Sequence, residues 1–280
     1  MKKFKVGVQL YGLRSEMAKD MENVFKKVKE MGYECVEFAG FSGERSLENA
    51  KKIRELTDKY GLTIISVHQG PDAFEKDPET AIKFLQILGA KYCAIPWFKV
   101  DNYIDNWDGT IEKFKALGEL LKKNGIQLMY HNHDFEFTIV DGEHILDKLY
   151  NTIPNSILKP EFDTCWVHYA GQSPAEYILK NVGQIDLVHL KDFYCKELGG
   201  SPVYGLIGDD GAPIKKNNYN DNGFLYKALG EGMEDFKPII DACEKAGVQY
   251  LIVEQDEWYD ESPFDCCARS RQYLKETFGI

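Results

Sequence analysis

Along the chain, short apolar runs alternate with segments whose apolar residues recur every three or four positions. The runs at 6–10, Cys35–Phe38, 62–67, Tyr92–Ile95, 126–130, 157–162, 185–188 and Tyr250–Val253 predict strands. Between the first two, Val24, Phe25, Val28 and Met31 share one helical face, which stops at Gly32. Further helices are predicted at Leu47–Tyr60, Pro78–Leu88, 108–123, 144–150, 174–182, 234–246 and 263–277. Ser46 and Ser173 stand where N-caps belong, and Gly61, Gly89 and Gly247 where C-terminal stops belong. Strand–helix alternation means a parallel sheet with crossover helices. Eight such units in 280 residues predict an α/β fold, a (β/α)8 TIM barrel forming a single domain over 1–280. The one irregular stretch, 193 to about 233, predicts a long loop after strand seven. It contains Gly-Leu-Ile-Gly-Asp-Asp-Gly, a poor phosphate loop, because no strand runs into it and no clear helix follows.

The strand ends carry the chemistry. The fifth run ends in His131, Asn132, His133, Asp134 and Glu136; the sixth, seventh and eighth reach Asp163, His189 and Glu254. Burying such groups costs several kcal/mol unless each finds a partner. In a barrel the strand C-termini converge on one mouth, where the active sites of this fold lie. Gln9, Tyr11, Glu37, His68, Trp97, Trp166, His168, Lys191 and Asp256 belong to that mouth as well. Mixed imidazole and carboxylate donors suit one divalent ion: Mn, Mg, Co or Zn. Each residue also has a plain structural explanation. His68 could be a core histidine bonded to a carbonyl, Asp163 a helix cap, and the tryptophans rim packing. His131 and His133, two apart on a strand, could instead form a two-histidine pair with or without Glu136.

Composition narrows the class. At 44% hydrophobic the chain can fill one large core. A net charge of −11 argues against a nucleic-acid groove, which lysine and arginine would have to line. No apolar run approaches the ~18 residues of a membrane span, and the N-terminus lacks the apolar stretch of a signal peptide. Seven scattered cysteines without a Cys-x-x-Cys pair fit a reduced, cytoplasmic setting.

His-Asn-His-Asp-Phe-Glu-Phe, Glu-Phe-Asp-Thr-Cys-Trp, Val-His-Leu-Lys-Asp, Ala-Leu-Gly-Glu-Gly and Val-Glu-Gln-Asp together resemble the xylose-isomerase-like sugar phosphate isomerase/epimerase superfamily. The resemblance runs over nearly the whole chain. It implies a metal set from strands five to eight: Glu136 (or His131, where many relatives carry Glu), Asp163, His189 and Glu254. It implies Glu136 and Glu254 as the acid/base pair and Lys191 as a charge that steadies the reacting oxygen. Glu37, His68, His131, His133 and Trp166 would hold a small sugar or keto-sugar. The implied activity is a divalent-metal-dependent sugar isomerase or epimerase working through a metal-bound enediolate. The same intermediate would serve a dehydratase or lyase acting on a keto-inositol or 3-keto-glycoside. The competing class is a non-catalytic carbohydrate-binding barrel or subunit. Relatives acting on 3-keto-glycosides imply a small partner subunit; a homo-oligomer is equally compatible with the sequence.

Overall fold

Strands of four to six residues buried on both faces need a neighbour on each edge and helices outside. The computed structural model describes residues 4–40, 46–98, 100–199 and 222–280, with only the backbone described at 100–102. In it the eight predicted strands close on themselves. They are β1 (Lys5–Gln9), β2 (Cys35–Phe38), β3 (Thr63–His68), β4 (Tyr92–Ile95), β5 (Gln127–His131), β6 (Leu158–Asp163), β7 (Leu187–Leu190) and β8 (Tyr250–Val253). Every neighbouring pair is parallel, and β1 closes the barrel against β8 with Lys5 opposite Tyr250 and Val8 opposite Val253.

The helices lie where local chemistry starts and stops them. Ser46 accepts the Asn49 amide ahead of Leu47–Tyr60, and Gly61 ends that helix in the left-handed region at φ 63°. Ser173 and Ser262 cap the same way, each followed by proline in the first turn. Leu-, Val-, Ile- and Phe-rich faces of these helices pack on the outward side of the strands in one continuous core.

Three local differences from the sequence reading matter. The first helix begins at Arg14, well before the apolar face that starts at Val24, since polar residues lead into it. A short helix, Thr164–Tyr169, follows β6 directly. The irregular stretch after β7 is partly ordered: Asp192–Tyr194 pairs antiparallel with Leu225–Lys227. The Asp192 carboxylate fastens this ribbon by accepting the backbone amides of Phe193, Gly230, Gly232 and Glu234. The glycine-rich run at 205–211 lies outside the described residues. No helix among the described residues is long and apolar enough to cross a membrane.

Candidate active site and metal centre

Side chains alternate along a strand, so residues two apart share the barrel's inner face. On β6, Glu161 and Asp163 both point inward, one above the other, and are fully buried. β5 adds His131, β7 adds His189, and Glu254 follows β8. Donor atoms of His131, Asp163, His189 and Glu254 lie within 4.8 Å of one another. His189 Nδ1 is 2.5 Å from Glu254 Oε2, and His131 Nε2 is 3.8 Å from Asp163 Oδ2. Asp163 is a helix cap as well: Oδ1 accepts the Cys165 amide at 2.9 Å, while buried Oδ2 has no hydrogen bond. One oxygen holds structure and the other is left for a ligand. Two imidazoles and two carboxylates, converging with an oxygen that no hydrogen bond satisfies, fit a divalent ion.

Lys191 reaches into the same cluster. Its Nζ is 2.7 Å from Asp256 Oδ2 and 3.3 Å from both Asp163 Oδ2 and Glu254 Oε1. The rings of Trp166 and Tyr226 flank it at 5.0 and 5.3 Å. Burial works against the ammonium, but Asp163, Asp256 and Glu254 outweigh it and keep the lysine charged. Burial also pushes the Glu254 carboxyl up, yet Lys191 and His189 hold it well below the usual carboxylate range. Asp163, pushed up to about 7 by burial, and His131, pushed down to about 4 by burial, have the opposite character.

Below this layer sits another. Glu37 and Glu161, both fully buried, face His68 and His189. His68 Nε2 is 2.7 Å from Glu161 Oε1 and 3.0 Å from Glu37 Oε1, and the two carboxylates, against burial, lift its pKa to about 10. Of these contacts the His68–Glu161 pair has hydrogen-bond geometry. The His189 Nε2–Glu37 Oε1 approach of 2.8 Å is within ion-pair distance but off the hydrogen-bond direction. Donor atoms of His68, His131, Glu161 and His189 also fall within 4.8 Å of one another.

Above the cluster opens a cavity of about 240 Å³. His68, His131, His133, Glu254 and Asp256 line it, with Gln69 and Tyr11. Of the side chains expected to hold a substrate, Glu37 and Trp166 do not line this cavity. Glu37 belongs to the lower layer. Trp166 is fully buried, stacked on Phe224 at 5.3 Å in the aromatic cluster beneath the ribbon.

Glu136 is not brought to the other expected ligands. Tyr130, which precedes His131, faces outward, and its hydroxyl donates to Glu136 Oε1 at 2.7 Å. Glu136 Oε2 accepts the His133 amide at 2.8 Å, closing the 3₁₀ turn Phe135–Phe137. Glu136 therefore lies behind β5, and the inward strand-five donor is His131. His168 also stands apart, paired with Glu234 at 3.0 Å. Glu161 is the residue that the sequence reading missed. Its signal was present in the two-residue spacing to Asp163, but it was hidden inside a run taken as apolar.

The family model described as xylose isomerase-like TIM barrel matches residues 25–277. The chain belongs to the xylose isomerase-like TIM-barrel family. An inosose dehydratase from Clostridium perfringens is 26% identical over 289 residues, covering 92% of each chain. A solved sugar phosphate isomerase/epimerase from Parabacteroides distasonis superposes with a TM-score of 0.75 at 22% identity, covering 97% of this chain and 93% of its own. A solved 3-keto-D-glucoside 4-epimerase from E. coli superposes with a TM-score of 0.66 at 14% identity, covering 98% of this chain and 100% of its own. These two structural likenesses speak to the fold alone.

Proposed function

We propose that this xylose isomerase-like barrel is a divalent-metal enzyme that moves the proton next to the carbonyl of an unphosphorylated keto-sugar or keto-cyclitol. The observation that carries the reading is the convergence of His131, Asp163, His189 and Glu254 on one point at the floor of a cavity. Those four residues would hold the ion, which when bound supplies a Lewis acid for the carbonyl oxygen.

The chain's own groups then divide the remaining work. Glu254, held ionised by Lys191 and His189, accepts the proton from carbon. Gln9 Nε2, 3.3 Å from Glu254 Oε1, orients that carboxylate. Lys191 does not line the cavity; its buried charge acts from behind Glu254 and Asp256 and keeps Glu254 ionised. His68, His133 and Gln69 line the cavity and offer hydrogen bonds to hydroxyls. The described lining carries no lysine or arginine, and Lys191 is already tied to three carboxylates. That favours a neutral substrate over a sugar phosphate. The cavity matches a single sugar ring in size.

Removal of the α proton leaves two outcomes. Return of a proton to the opposite face gives an epimer and needs a second acid/base group there. Glu136, the expected partner, lies behind β5. Departure of a β-hydroxyl, which takes up a proton and leaves as water, yields an unsaturated ketone and needs one base and one acid. Asp256 at the cavity wall, its carboxyl pushed up to about 6 by burial, can supply that proton from its protonated form. The geometry and the similarity to an inosose dehydratase both favour dehydration or a related elimination, with isomerisation second. The test is to incubate Mn- or Co-loaded protein with keto-inositols and 3-keto-glycosides in deuterated water. We expect deuterium uptake next to the carbonyl and a new alkene absorbance. Glu254→Gln, assayed with enough metal to saturate its weakened site, should lower both by about 10²–10⁴-fold. Unchanged exchange in that variant would remove Glu254 as the base.

A further inference from the structure

We propose that Glu161, seconded by Glu37, is the positioning carboxylate that sets the tautomer and ring orientation of both histidine ligands. This rests on the ligand set assigned above. One oxygen, Glu161 Oε1, faces three imidazoles: His68 Nε2 at 2.7 Å, His189 Nε2 at 3.3 Å and His131 Nδ1 at 3.4 Å. Glu37 Oε1 reaches His189 Nε2 from the other side of the barrel at 2.8 Å. The two ligand rings therefore have a back nitrogen toward the carboxylate layer and a front nitrogen toward the mouth. The front nitrogens are His189 Nδ1, beside Glu254, and His131 Nε2, beside Asp163.

A neutral imidazole carries one N–H and one lone pair. A carboxylate accepts only, so the back contacts favour an N–H there. The front nitrogens face carboxylates too, and His189 Nδ1 meets Glu254 Oε2 in hydrogen-bond geometry at 2.5 Å. A bound ion would displace that front proton while Glu161 and Glu37 keep the one at the back. The back contacts of His131 and His189 are close but off the hydrogen-bond direction, so a small ring rotation aligns them. His68 stacks on His189 with centroids 5.7 Å apart, which limits how far that ring can turn. Glu161 reaches this place because it sits two residues before Asp163 on β6. The strand that supplies a ligand thus also supplies the group beneath two others.

The test measures Co(II) affinity by chelator competition, together with the visible spectrum of the bound ion. Glu161→Gln should bind one equivalent about 10–100-fold more weakly, with a shifted spectrum, and Glu37→Gln should show a smaller loss. Glu161→Asp, which keeps the charge, should recover part of the affinity; it also carries the test if Glu161→Gln does not fold. Unchanged affinity and spectrum in the Glu161 variants would overturn the inference. So would two equivalents in the wild type with the second lost in His68→Ala, because the lower carboxylates would then be ligands themselves. His189→Ala separates the two readings. If it keeps full affinity, the ligand set itself is wrong; if it loses binding while Glu161→Gln does not, only the positioning role falls.

Discussion

The lower and upper halves of the barrel interior are built by the same strands two residues apart, yet their chemistry is opposite. Cys35, Met129, Leu187 and Ile252 form an apolar plug with Ile65, Tyr92 and Ala94. Two positions further on, the same strands present Glu37, His131, His189 and Glu254. The plug has no spare room: a Cβ on Gly7 would lie 2.6 Å from Cys35 Sγ and 2.7 Å from Ile252 Cδ1. Its burial stabilises the fold directly, at roughly 25 cal/mol per Å² of apolar surface. The upper layer instead buries ionisable groups whose desolvation costs several kcal/mol each, offset only by contact with one another or with a bound cation. One layer supplies stability, and the other concentrates charge at the floor of the cavity.

That division can be broken by experiment. The largest effect is expected from Asp163→Asn or His189→Ala, which should weaken divalent-metal binding by more than about 100-fold, as judged by titration calorimetry. Retained binding would mean that the upper layer is only an ion-pair network. Next is Met129→Ala in the plug. It should destabilise the protein by about 2–5 kcal/mol while leaving Co(II) affinity within about threefold. A large loss of affinity there would show that the two layers are coupled.

The smallest effect concerns Glu136, which burial pushes up to about 8 from 4.5. A raised folded-state value means that its contribution to stability is complete below about 4.5 and is lost as pH rises through about 8. Glu136→Gln lacks that loss. Its thermal midpoint relative to wild type should therefore rise by a few degrees between pH 5 and pH 8. A constant offset would show that the carboxyl ionises freely in the folded protein and does not belong behind β5.

The two site carboxylates that sequence reading handled least well show where legibility stops. Glu136 follows a histidine-rich strand end, and nothing in its spacing says that the Phe135–Phe137 turn folds it back under Tyr130. A strand's two-residue period carries no information once the chain leaves the strand. Glu161 lies within the strand, where that period does apply, and its shared face with Asp163 could have been read. The ribbon of Asp192–Tyr194 and Leu225–Lys227 was illegible for a different reason. Its order comes from the four backbone amides gathered by Asp192, most of them about forty residues away.

Alternation of short apolar runs with helical patterns, with serine caps and glycine stops, was enough to determine eight βα units and hence a barrel. Polar strand ends were enough to single out the mouth where the ionisable groups gather. Which of those ends meet was decided by closure. β1 pairs with β8, and the barrel's inner diameter brings residues from β2, β3, β5, β6 and β7 into a space only a few ångströms wide. Local sequence dictates which face a side chain takes, because that depends on one strand's geometry. The distance between two carboxylates on different strands depends on the register of every strand between them, and only the folded chain sets that.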